Sequence, residues 1–482
     1  MAQKSIKKNY IYNVTYQILL LLMPLITTPF VSRVLGADGI GTYSFTNSIT
    51  QYFVLFATMG ISTYGQREIS YLQDDWKRRS QVFWETKALS VLNVLLCLII
   101  YVIFVFFSTS NQVIYLIWGI SVINVATDVT WFFQGMEEFK KIVIRNAIFK
   151  LLDVAFVFIF VKQKNDLPIY IFGIVFFQII GSVSLWAYLP KYIEKPDWRS
   201  IWPYRNIKVV LSLFIPTIAI QVYTVLDKTM IGVIVEGSFE NGYYEQTMKI
   251  SKMVLTLVTS LGSVMIPRIG YHFERKEQGI IADFMYRSYN FVWFLAIPLC
   301  FGLVGISDNF VPWFFGAGYE KVSTLLKISG FLIIAIGLSN VTGMQYLIPT
   351  KRQNAFTFTV ICGAVINVIL NSLMIPRWKS YGAVIASVIA EILITLIQFY
   401  LVRKELSMRT IAKRGGHYFA AGFGMLLLLV VENSKLSPSV LHTFIMICSG
   451  AVIYFILLFI MKDEFFIQNV EKILGKLIKK KT

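Results

Sequence analysis

Asp227 and Lys228 stand side by side inside an apolar run from Ile207 to Val235. Neighbours on a helix point about 100° apart, so these two charges cannot neutralise each other and each needs its own partner or water. They belong to a larger set. Seven cations (Arg33, Lys87, Lys150, Lys228, Lys249, Lys252, Lys327) and six acids (Glu85, Asp128, Asp153, Asp227, Glu245, Glu391) interrupt long apolar stretches. A charge at a bilayer centre costs about 2.5–3.5 kcal/mol even on insertion scales, so this many must pair or face a polar interior. The chemistry they suit is non-covalent, because intramembrane ionisable groups default to pairing or to contact with a polar cargo or ion. Cys97, Cys300, Cys362 and Cys448 are scattered singly, as are His272, His417 and His442, which points away from a disulfide framework, a metal site or a nucleophilic pair.

The expected surroundings differ from residue to residue. Arg33, Lys87 and Lys327 lie within a turn or two of a stretch end and are expected to snorkel to the headgroups. Lys249 and Lys252, three residues apart, share a helix face with Glu245; a Glu245–Lys249 pair would leave Lys252 uncompensated, which favours a lumen-facing role. Asn146, Lys150 and Asp153 form a second polar face, and Asn124 with Asp128 a third. Depth allows either an Asp128–Lys150 salt bridge or substrate contact by these groups. Asn13 and Gln17 are one turn apart and line the same interior or glue helices together. Asp227 and Lys249 fall at similar depth from the turn near residues 236–242, so they are expected to bridge, leaving Lys228 to face the interior or a different carboxylate.

The elements that must position these groups are transmembrane helices. The 482-residue chain is 56% hydrophobic and 15% charged, with mean hydropathy +0.64, far more apolar than a soluble fold can hide. Stretches of roughly membrane-spanning length occur at 10–34, 40–64, 82–107, 112–134, 142–162, 168–190, 207–235, 242–266, 287–311, 323–348, 354–376, 381–402, 417–432 and 439–461. With a cytoplasmic amino terminus, the tails and loops on that side hold 32 of the 45 Lys and Arg, against six on the other. This positive-inside asymmetry places both termini in the cytoplasm and accounts for the net charge of +18 without a nucleic-acid partner. The first stretch is too long for a signal-peptide core and is expected to remain in the mature chain.

A repeat organises the helices. A shift of 201 residues aligns Gly36 with Gly237, Tyr43 with Tyr244, Thr46 with Thr247, Thr58 with Thr259 and Arg67 with Arg268. Further on, a shift of 211 aligns Gln134, Lys140 and Lys141 with Gln345, Lys351 and Arg352. The expected fold is all-α, about 14 transmembrane helices: two parallel six-helix repeats (1–200 and 201–405) around a central cavity, plus two C-terminal helices and a basic tail (406–482). Pro24, Pro29 and Pro216 are candidate helix bends.

Four stretches carry a family likeness: "PLITTPFVSRVLGADGIGTYSF" (24–45), "GISTYGQREIS" (60–70), "WFFQGMEEFKKIVIRNAIFKLLDVAFVFIFVK" (131–162) and "FFGAGYEKV" (314–322). The chain resembles bacterial Wzx-type polysaccharide flippases, of the polysaccharide-transport branch of the multidrug, oligosaccharidyl-lipid and polysaccharide exporter superfamily. The resemblance implies a multi-pass protein of the bacterial cytoplasmic membrane that moves undecaprenyl-diphosphate-linked oligosaccharide repeat units from inner to outer leaflet by alternating access. It also implies a cationic cavity, whose positions fall here on Lys150, Lys249 and Lys252; Lys228 and Arg33 are further substrate-binding candidates as cations within apolar stretches, although the family motif of Arg33, Gly36 and Tyr43 looks structural. Asp227, Asp128, Asp153 and Glu245 are then charge-pair or gating residues. The partners implied are the lipid-linked oligosaccharide, membrane lipid and the polysaccharide assembly machinery. Neither a cofactor nor a metal is called for, and exchange of a proton or sodium ion is compatible with the pattern. A multidrug or cation antiporter of the same superfamily shares the fold, but would favour carboxylates over the paired lysines. A membrane enzyme acting on lipid-linked sugars is disfavoured by the lack of a large external loop or a catalytic constellation.

Overall fold

A computed structural model describes residues 6–468 and 471, and its long elements are all helices. The chain divides into two compact units, Met1–Gly242 and Tyr243–Thr482. In the first lie α1 (Ile6–Thr58), α2 (Ile61–Tyr71), α3 (Trp76–Phe107), α4 (Gln112–Thr127), α5 (Thr130–Gly135), α6 (Phe139–Phe160), α7 (Leu167–Ser184) and α8 (Ile207–Ile234). The second holds most of α9 (Phe239–Thr259), then α10 (Gly262–Glu274), α11 (Gln278–Phe315), α12 (Glu320–Asn340), α13 (Gln353–Val402), α14 (Met408–Lys435) and α15 (Val440–Ile460). Eight of the described helices or helix pairs are long and apolar enough to cross a membrane.

Two helices are too long for a single crossing, and each is broken once. In α1 the break falls at Gly36 (φ 69°, ψ 175°), a conformation that suits a residue without Cβ. Pro24 and Pro29 lie within continuous helix before it. In α13 it falls at Lys379 (φ 52°, ψ −130°), with Pro376 just before. With these breaks each of the fourteen expected stretches meets helix. The protein is therefore an all-helical, multi-pass membrane protein. The second stretch ends earlier than expected: Met59 and Gly60 both take positive φ, and 61–71 becomes the separate helix α2.

The repeat has a counterpart in backbone detail. Gly36 and Gly237 both have positive φ. Thr46 and Thr247 each donate to the carbonyl four residues back, Thr42 and Tyr243, at 2.7 Å. Thr58 and Thr259 do the same to Val54 and Leu255. The fourth stretch breaks at Asp128 and Val129, between α4 and α5, while the tenth loses α geometry in a π-helical turn, Val341–Leu347. Although α8 begins the second sequence repeat, it packs on α1 and α2 in the first compact unit.

Buried polar side chains pin the ends of both units. Arg79 is buried, donates twice to the Tyr192 carbonyl at 3.0 and 2.6 Å and once to the Gln73 carbonyl, and sits beside an aromatic core of Phe83, Trp131, Phe132 and Phe133. In the second unit Asn309 of α11 donates to the carbonyls of Leu436 and Ser437 and accepts from Thr443 Oγ1 at 2.7 Å. The turn between α14 and α15 is thereby fixed to α11.

Candidate functional site

On α6 the polar face is real, but its internal pairing is local. Lys150 Nζ lies 2.7 Å from Asp153 Oδ2 on the next turn. The alternative bridge to Asp128 is not formed, because Asp128 sits where α4 stops and its carboxylate accepts from Thr130 N at 3.0 Å and from Thr130 Oγ1. Both bonds fall on Oδ1 and turn the carboxylate towards the start of α5. Asn146, Phe149, Lys150 and Asp153 of α6 face Phe177 and Gln178 of α7 across a cleft of about 250 Å³. Arg145 also borders the cleft and donates to Thr130 Oγ1 at 2.8 Å.

Lys87 corrects the snorkelling expectation. It is buried, donates to the Asp128 carbonyl at 3.0 Å and lies 5.2 Å from the Trp186 ring centre. The break after α4 frees that carbonyl, a signal the apolar count could not carry. Lys327 also has a protein partner, Asp308, at 2.7 Å, in a group that includes Ser323 and Asn433. Arg33 is exposed on α1. Glu85 is buried and pairs with Arg205 at 3.1 Å.

Asp227 is buried on α8, and Lys228 beside it is half-buried. The Lys228 carbonyl accepts from Asn241 at 2.8 Å. Glu245 is buried on α9, Lys249 half-buried and Lys252 exposed. Pro216 lies inside α8, whose backbone is helical throughout. Asn13 and Gln17 lie on α1 among residues whose side chains are outside those described.

The seam between the second half of α1 and α8 is a feature that sequence reasoning missed. At one end Thr42 Oγ1 donates to Ser238 Oγ at 3.0 Å, and a Cβ on Gly41 would overlap the Ser238 carbonyl. Gly242 is equally tight against the Ala37 carbonyl, and Gly232 against the Phe45 ring. Further along, Thr229 Oγ1 donates to Ser48 Oγ at 3.0 Å and lies 3.1 Å from the Tyr52 hydroxyl. At the other end Asn206 donates to the Tyr64 hydroxyl at 2.5 Å, and Phe56 meets Phe214 edge-on. Small residues and hydroxyls at a helix contact permit close approach. The signal lay in glycines and hydroxyl residues spread over two distant segments, which pair only once the fold is known.

Two solved structures share this fold. A lipid II flippase MurJ, in an inward closed conformation, superposes with TM-score 0.75 at 16% identity, with 95% of this chain and 99% of that one covered. A multidrug resistance MATE family transporter of the MOP superfamily, inward-facing, gives 0.63 at 11% identity, with 81% and 95% covered. The chain thus shares its fold with both of these structures.

Residues 6–272 match the model of the polysaccharide biosynthesis protein family, and the chain belongs to that family. A relative in Escherichia coli K12 named "Putative O-antigen transporter" is 23% identical over 411 residues, covering 83% of this chain and 97% of that protein. A "Probable low-salt glycan biosynthesis flippase Agl15" of Haloferax volcanii is 22% identical over 267 residues, 55% of each chain. In keeping with these relatives, the protein is a membrane transport protein of polysaccharide biosynthesis and not an enzyme.

Proposed function

We propose that this protein flips undecaprenyl-diphosphate-linked oligosaccharide repeat units from the inner to the outer leaflet of the bacterial cytoplasmic membrane, supplying capsule, exopolysaccharide or O-antigen assembly. The carrying observation is the α1–α8 seam. At the Gly41–Ser238 end it is built from glycine contacts and exchangeable hydroxyl bonds, a surface that can part and reclose. Such a seam supports alternating access, with the outer end yielding when cargo leaves. Both termini are cytoplasmic on this reading, following the charge asymmetry of the loops. Export of an anion from an inside-negative cell is favourable by about 2.3 kcal/mol per charge per 100 mV, so net flipping needs no ATP. Proton or sodium exchange remains part of the proposal as a second driving force.

The diphosphate is assigned to Lys249 and Lys252, which share a face of α9, with Lys228 and Arg33 as further cationic contacts. Lys249→Ala with Lys252→Ala is expected to lower delivery of lipid-linked oligosaccharide to the outer leaflet by about tenfold, the equivalent of roughly 1.4 kcal/mol, with normal protein level and insertion. Complementation of a flippase-deficient strain measures this. Undiminished complementation by the double variant would remove the two lysines from the mechanism.

A further inference from the structure

We propose that the cleft between α6 and α7 is a subsite for one pyranose ring of the cargo, an assignment that rests on the flippase reading above. Three observations converge on it. First, the cleft faces away from lipid. Ile144, Ile148, Leu151, Leu152 and Ile159 form the exposed apolar stripe of α6, and Lys150, two residues from Ile148, is turned about 160° away from it. Yet the Lys150 side chain is 37% exposed. A lysine exposed on the side opposite the lipid stripe borders a polar space.

Second, the lining presents hydrogen-bonding groups that the protein leaves unused. Asn146 and Gln178 line the cleft and make no hydrogen bond among the described residues. Asp153 is 7% exposed; its Oδ2 takes Lys150, and its Oδ1 is buried with no hydrogen-bond partner among the described residues. An unmet buried carboxylate oxygen costs more than an unmet neutral group, so a partner is called for. Two amides and a carboxylate together offer the mixed donors and acceptors that vicinal hydroxyls match. With its charge already met by Asp153, Lys150 is a poor diphosphate clamp and a good hydroxyl donor.

Third, Phe149 and Phe177 give the same cleft apolar walls for the C–H face of a sugar ring. Its volume of about 250 Å³ exceeds the roughly 150 Å³ of a cavity known to admit a six-membered carbon ring. The subsite would therefore read the sugar while cations elsewhere hold the diphosphate.

The test uses the full chain in nanodiscs. Its probes are bare undecaprenyl diphosphate and the same lipid bearing one hexose, N-acetylhexosamine, 6-deoxyhexose or uronic acid. At least one glycosylated lipid is expected to bind about tenfold more tightly than the bare lipid. That ratio should fall to near one in Asn146→Ala and in Gln178→Ala, each checked for an unchanged size-exclusion profile and melting temperature. Bare-lipid binding with no preference for any glycosylated probe, or a preference that survives both substitutions, would overturn the subsite and leave the flippase reading standing. Binding of neither bare nor glycosylated lipid would instead strike the flippase reading, and the subsite with it.

Discussion

Gly41→Val is expected to lower transport by about a hundredfold, the equivalent of roughly 2.7 kcal/mol. A Cβ at this position overlaps the Ser238 carbonyl and crowds the Gly242 amide, both backbone groups that no rotamer change can move. Overpacking a tight contact typically costs about 1–3 kcal/mol, and here it is borne entirely by the state in which the seam is shut. Thr42 and Ser238 should separate with it. Ser48 is buried against Thr229 in the closed seam, and a cysteine in its place gives the readout. Ser48→Cys should resist an impermeant thiol reagent added from outside, and should react in the Gly41→Val background. Normal transport by Gly41→Val, or an introduced thiol that stays unreactive beside it, would show that the seam does not govern access.

The second large effect concerns stability. Arg79→Met removes a buried guanidinium that donates to two carbonyls and ties the start of α3 to the segment after α7. Hydrogen bonds to charged groups are worth about 1.5–3 kcal/mol each, so a loss of roughly 3–5 kcal/mol in the first unit is expected. Heating the detergent-solubilised protein and following its monodisperse fraction measures this. The variant should aggregate at a clearly lower temperature, and an unchanged midpoint would mean that the aromatic core beside Arg79 holds the two segments unaided.

The helices were legible because the signal for them is additive. About twenty apolar residues in a row specify a membrane helix whatever their order, so fourteen stretches could be read, and the repeat followed from glycine and threonine positions that recur at a fixed shift. The pairing of charges was less legible, since depth along a helix is readable from sequence while rotation about it is not. Asp128 matched Lys150 in depth, yet its carboxylate accepts from Thr130 at a break in its own helix, and the carbonyl freed by that break accepts from Lys87. Lys150 found Asp153 one turn away on the same helix, a contact that i,i+3 spacing already allowed. Asn146 and Gln178 are 32 positions apart on two helices, and only their packing shows that they border one cleft.

Reconstitution of the purified protein into liposomes, with a fluorescent undecaprenyl-diphosphate-linked oligosaccharide confined at first to one leaflet, tests the central claim most directly. An impermeant quencher reports how much of the label has crossed. The expected result is translocation that depends on the protein, rises with a membrane potential of the sign that drives anion export, and fails in Gly41→Val. No translocation of the lipid-linked oligosaccharide by correctly inserted protein, together with exchange of organic cations across the same membranes, would contradict the account and place the protein among the drug antiporters that share its fold.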